Sequence, residues 1–157
     1  MTTKSIYYDN KQLKYLGIVD DNFVTVKETS WYENGQKHTT VTYTPSGEVL
    51  NLFSWYENGQ LKYEVIDNMM DKTFKSWYEN GQLHFNKDLV FDFSRVMIVS
   101  SEEWFDKDGN SIDPSTNLFA KLSHLDILEI EDMDYINNLT TPHDEKFLGS
   151  SFLHYNL

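Results

Sequence analysis

Over roughly the first two thirds of the chain, short runs rich in aromatic and β-branched residues alternate with clusters of Asn, Asp, Gly, Pro and Ser. That is the pattern of short strands joined by tight turns. One stretch sets the register. Ser-Trp-Tyr-Glu-Asn-Gly-Gln occurs three times word for word, at Ser30–Gln36, Ser54–Gln60 and Ser76–Gln82, with looser copies at Ile6–Gln12 and near Glu103–Asn110. Asn-Gly between strand-like runs favours a two-residue type I′ hairpin, because both central residues need φ > 0 and Gly and Asn accept it best. With Asn34-Gly35, Asn58-Gly59 and Asn80-Gly81 at the tips, Glu57 faces Gln60, Tyr56 faces Leu61, Trp55 faces Lys62 and Ser54 faces Tyr63. The same register sets Tyr7 against Lys14, Trp31 against His38 and Trp77 against His84. Neighbours along a strand point to opposite faces. One face is therefore expected to carry Trp31, Trp55 and Trp77 in a row, each opposite a Lys or His. The other is expected to carry Tyr8, Tyr32, Tyr56 and Tyr78.

The leading aromatics Tyr7, Trp31, Trp55, Trp77 and Trp104 are 24, 24, 22 and 27 residues apart. That length holds two strands and two turns. The second turns are legible at Asp20-Asp21-Asn22, Pro45-Ser46-Gly47 and Asp67–Asp71. Self-similarity at a fixed period marks a repeat array, whose units bury apolar surface by stacking on their neighbours. The expected fold is mainly β, an antiparallel meander of repeated hairpins with its strands in residues 6–113. Residues 1–113 form the array and 114–157 a small acidic, α-containing cap, α+β overall.

Trp55–Lys62, reading Trp-Tyr-Glu-Asn-Gly-Gln-Leu-Lys, resembles the MORN-variant repeat. The resemblance runs from about Ile6 to Asn86, with a weaker copy at Trp104–Asn110. Lys11 replaces the turn glycine in the first copy, and the last carries an extra residue. Bacterial proteins built from such repeats are often classed as antitoxins or immunity proteins, which block a toxin by binding it. The resemblance implies a binding role of that kind; the spacing does not.

Beyond the repeats, Leu89–Ser101 reads as a strand, and the unbroken apolar run Val96-Met97-Ile98-Val99 predicts burial on both faces. Pro114-Ser115-Thr116 reads as a helix start, followed by Leu118, Leu122, Leu125, Met133, Ile136 and Leu139 on one helical face. Phe147-Leu148 and Phe152-Leu153-His154-Tyr155 form an apolar tail expected to dock on the array.

Charge changes the picture. The net charge is −12; residues 1–90 hold 12 acids and 9 lysines, and residues 91–157 hold 13 acids and 4 bases, so the split is −3 and −9. Direct contact with phosphates or an anionic membrane is disfavoured. A basic protein partner, a toxin or a nuclease, is favoured. Acidity for solubility alone is the plain alternative. The densest acids, Glu129, Glu131, Asp132 and Asp134, and the row Trp31, Trp55 and Trp77 are the two candidate partner-binding sites. Three functional readings stand: an immunity or antitoxin-type inhibitor, a phage-borne nucleic-acid mimic that blocks a defence nuclease, and a structural interaction scaffold.

Candidate chemistry is sparse. There is no cysteine, and the five histidines include no i, i+4 pair. Asp106-Lys107-Asp108-Gly109 places glycine fourth where a calcium loop needs it sixth. No nucleophile elbow or phosphate loop occurs. The expectation is a non-enzyme without cofactor or metal. With no apolar leader after Met1, the expected location is the cytoplasm.

Overall fold

The computed structural model describes residues 1–92 and 96–113. The predicted helix, the cap and tail of residues 114–157, and with them Glu129, Glu131, Asp132 and Asp134, lie outside the described residues.

The strands are β1 (Thr2–Tyr7), β2 (Leu13–Val19), β3 (Thr25–Trp31), β4 (Lys37–Tyr43) and β5 (Val49–Trp55). They continue as β6 (Leu61–Asp67), β7 (Asp71–Trp77), β8 (Leu83–Phe91) and β9 (Met97–Trp104). All nine form one open antiparallel sheet in chain order, each strand paired with the one before it. No helix occurs among the described residues. The meander expected from the repeats is what forms, beginning a few residues earlier than predicted.

Alternation sorts the side chains. One face is lined by the cross-strand run Val41, Leu52, Val65 and Phe74, each directly paired with the next. Phe85 and Trp104 extend it. Val41, Leu52, Phe74, Phe85 and Trp104 are all buried. The core is thus a stripe down one face, to which each unit contributes one or two large residues. The motif serine sits on this face. Ser30, Ser54 and Ser76 are fully buried, and Trp104, the largest buried side chain, fills the corresponding place in the last unit.

Toward β1 the buried face is closed by polar contacts. Glu28 accepts a hydrogen bond from the Tyr15 hydroxyl on Oε1 and from the Tyr43 hydroxyl on Oε2, both at 2.7 Å. Burial, then the Glu28 charge, pushes both phenols far above the usual tyrosine range. Gly17 makes the arrangement possible, since a Cβ there would lie 2.8 Å from the Tyr15 hydroxyl.

Strand details explain the spacings. Between β6 and β7 the link is a two-residue turn, closed by the Asn68 amide on the Asp71 carbonyl, and the pairing has no bulge. The corresponding β4–β5 link has a longer loop and a register shift. One residue saved in the loop and one in the bulge turn a period of 24 into 22. The apolar run Val96–Val99, at the start of β9, does not behave as predicted. Val96, Ile98 and Val99 are 56%, 45% and 48% exposed. Burial on both faces needs a layer packed on each, and the described residues form a single sheet without a second layer over β9.

Candidate functional site

The repeated motif builds one edge of the sheet, where every β-odd to β-even turn lies. Its geometry differs from the type I′ expectation. In the third turn the Gly59 amide donates to the Tyr56 carbonyl at 2.9 Å and the Tyr56 amide to the Gln60 carbonyl at 2.8 Å. Gly59 has φ +85°, and Asn58 is not among the residues with positive φ. This is a three-residue loop, a type I turn followed by a left-handed glycine. Asn58 is needed for its side chain: Oδ1 accepts the Gln60 amide at 2.9 Å within the turn. Gly35 and Gly81 repeat the conformation, and Lys11 adopts it in the first copy with φ 68°.

Just inside each turn the even strand carries one extra residue. Trp55 pairs with Leu61 and Ser54 with Tyr63, so Lys62 is the bulged residue; Lys14, His38 and His84 hold the same place. The expected pairing of tryptophan with Lys or His is therefore replaced. These side chains lie instead against the motif tyrosine. Lys14 Nζ is 5.3 Å from the Tyr8 ring centroid and Lys62 Nζ 5.8 Å from that of Tyr56. The His38 and His84 rings lie 4.4 and 4.5 Å from Tyr32 and Tyr78. His84 Nδ1 also meets the buried Ser76 hydroxyl at 3.2 Å, and burial lowers its pKa. Where Lys62 replaces histidine, Ser54 Oγ is buried without a hydrogen-bond partner.

Adjacent turns are clamped together in one direction. The Tyr8, Tyr32 and Tyr56 hydroxyls donate to the carbonyls of Trp31, Trp55 and Trp77 at 2.7, 2.8 and 2.9 Å. Tyr78 donates to the Phe105 carbonyl at 3.0 Å. Asn34, Asn58 and Asn80 donate through Nδ2 to the carbonyls of Glu57, Glu79 and Lys107 at 3.0, 3.1 and 3.1 Å. Gln36, Gln60 and Gln82 lie against Gly59, Gly81 and Gly109 of the next turn. These contacts place the fifth copy. Phe105, not Trp104, stands where Trp77 stands, so Phe105–Asn110 contains no extra residue.

One motif position has no part in this scheme. The carboxylates of Glu33, Glu57 and Glu79 are exposed, and none takes part in a hydrogen bond or ion pair. Asp9 holds the same position in the first turn and Lys107 in the fifth. Successive acids are two strands apart, about 9–10 Å. A shallow depression lined by Asn58, Tyr78, Glu79, Asn80 and Lys107 opens on this edge.

Residues 49–66 and 70–85 match the family model of the MORN repeat variant. These two units are MORN-variant repeats. Their neighbours share the same turn geometry and the tyrosine clamp, though in the first turn Asn10 Nδ2 donates to Gln12 Oε1 of its own turn at 3.3 Å. No curated protein matches the chain.

The predicted row of tryptophans is present. Trp31, Trp55 and Trp77 end β3, β5 and β7 on the face opposite the buried serines, and each is half-buried. The row is neither core nor a bare aromatic patch. Phe53 stacks beside Trp55 at 6.1 Å, and Lys37 Nζ lies 5.6 Å from its ring centroid. Among the described residues no group of three or more His, Asp or Glu is placed to hold a metal ion. Nor is any helix there long and apolar enough to cross a membrane. The free acids of the motif were missed in the sequence because all seven motif residues repeat equally. Only the hydrogen-bond pattern separates those the turn needs from the one it does not.

Proposed function

We propose that this MORN-variant repeat chain is a non-enzymatic protein-binding module that captures a basic protein through the edge of its repeated turns. The observation that carries the reading is the glutamate of the motif. The side chains of Tyr, Asn and Gln and the left-handed Gly each have a place in the clamps or the turn, while the side chains of Glu33, Glu57 and Glu79 make no hydrogen bond or ion pair and stay exposed. A carboxylate repeated in three turns whose side chain has no structural task is available for a partner. The net charge of −12 adds long-range attraction for a basic surface. The half-buried tryptophan row starts one residue from the same turns and offers apolar contact beside the acids. Within this reading the chain acts as a neutralising inhibitor of the immunity or antitoxin type, covering a basic partner's working surface.

The test is capture from the source cell at low and high salt by the wild-type chain and by Glu33→Lys/Glu57→Lys/Glu79→Lys. The expected result is a basic protein held by the wild type, lost with salt, and absent from the variant. Activity of that partner assayed with and without the chain tests inhibition. A partner captured but left fully active leaves the scaffold and removes the inhibitor.

A further inference from the structure

The links from even to odd strands have their tips on the edge opposite the motif turns. In the β2–β3 link the Phe23 amide donates to the Asp20 carbonyl at 3.2 Å and the Asp20 amide to the Val24 carbonyl at 2.9 Å. The β4–β5 link repeats this with Gly47, φ +87°, at the left-handed position. Phe23 holds that position in the β2–β3 link, with φ 64°, and Met69 has φ 67° in the two-residue β6–β7 turn. A bulky side chain is an outlier there, whereas glycine takes the conformation freely. Burial does not compensate. Phe23, Met69 and Met70 are 85%, 73% and 71% exposed. Phe23 and Met69 thus stand where both the backbone and the solvent disfavour them. Strain held at an exposed apolar side chain points to function.

The surroundings say what these side chains meet. Loops 20–24, 44–48 and 67–71 contain Asp20, Asp21, Glu48, Asp67 and Asp71, and no lysine or arginine. Asp21 is paired with the Met1 amino group and Asp67 with Lys72, which leaves the edge acidic. Pro45 is exposed on the middle loop, between Phe23 and Met69. Consecutive loops are two strands apart, about 9–10 Å. A helix rises about 10.5 Å over seven residues and returns nearly to the same face. The tips are turns rather than an edge strand, so an occupant meets side chains and not a ladder of backbone groups.

From this we infer that the edge opposite the motif turns docks an amphipathic helix of a basic protein. Its apolar stripe lies across Phe23, Pro45 and the Met69–Met70 pair, and its flanking lysines or arginines face Asp20, Glu48 and Asp71. Recognition of a helix through its apolar face is an established mode, and methionine adapts its shape to the side chains it meets. The same acids repel an anionic membrane surface. This site is separate from Glu33, Glu57 and Glu79 and does not rest on the reading given for them.

The probe is a synthetic helix of about 20 residues, about 30 Å long, with a leucine stripe flanked by lysines. It is titrated into the isotope-labelled full chain and followed by NMR. Shifts are expected at the amides of residues 22–24 and 68–70, and at the same places in Glu33→Gln/Glu57→Gln/Glu79→Gln. Phe23→Gly/Met69→Gly should melt higher than the wild type, because it relieves the strain, yet bind the helix at least about tenfold more weakly. Phe23→Asn/Met69→Asn, which also accepts the left-handed backbone, should bind as weakly and carries the test if the glycines loosen the loops. Wild-type affinity in both variants, or shifts confined to the turns at Asn34, Asn58 and Asn80, would overturn the proposal. So would equal binding by a peptide of the same composition with its leucines spread around the helix, or no binding of the striped helix. Binding of anionic vesicles lost in Phe23→Gly/Met69→Gly would overturn the choice of occupant.

Discussion

At the scale of single residues, Lys11 shows most directly how the turn constrains its sequence. It occupies the left-handed position that glycine fills in the other motif turns, with φ 68°. A side chain there costs about 1–2 kcal/mol, partly offset because glycine loses more entropy on folding. Lys11→Gly should stabilise the chain by about 0.5–1 kcal/mol, read as a rise in Tm. The serines make a second test. Ser76 is bonded to His84, whereas Ser54 has no partner. Ser76→Ala should cost about 1 kcal/mol, and Ser54→Ala should be neutral or slightly stabilising. His84 adds a pH dependence. Burial lowers its folded pKa below the unfolded value near 6.5. Its contribution is complete above that value and is lost as pH falls, because the unfolded chain then takes up the proton first. The drop in Tm between pH 7.5 and 5.0 should be smaller in His84→Gln than in the wild type.

Among the elements, the unit that matters is a turn together with the next turn. Tyr56→Phe removes the hydrogen bond to the Trp77 carbonyl and should cost about 1 kcal/mol. Asn58→Ala removes one bond inside the turn and one to the Glu79 carbonyl, and should cost more. Glu57→Gln should leave unfolding unchanged. Denaturant unfolding of the three variants side by side distinguishes the roles. The hairpin meander, the positions of both sets of turns and the side-by-side tryptophans were all legible in the sequence, because Asn-Gly and the fixed period constrain them strongly. The local geometry was not. Asn-Gly suits both a two-residue turn and a type I turn with left-handed glycine, and only the bulges at Lys62 and its equivalents decide between them. The bulge restores the pairing of Ser54 with Tyr63, so the predicted register fails next to the turn and holds one step further on. The start of the fifth copy was misplaced for a similar reason. Trp104 looks like the motif aromatic, but it replaces the buried serine and Phe105 carries the repeat.

At the scale of the whole array, a stripe of core on one face stands apart from an edge made of turns, the edge proposed to bind. The candidate acids Glu129, Glu131, Asp132 and Asp134 were chosen by charge density, which the described residues do not reach. The acids that the fold itself singles out are Glu33, Glu57 and Glu79, spread thinly along the sequence and gathered by the repeat. No single one is expected to matter much, since an exposed charge pair contributes at most about 1 kcal/mol. They must be changed together. The decisive measurement is capture of a basic partner at low salt by Glu33→Lys/Glu57→Lys/Glu79→Lys, with Tm recorded on the same preparation. The expected result is a Tm close to the wild type and loss of the partner. A folded variant that still holds the same partner with the same salt dependence would contradict it.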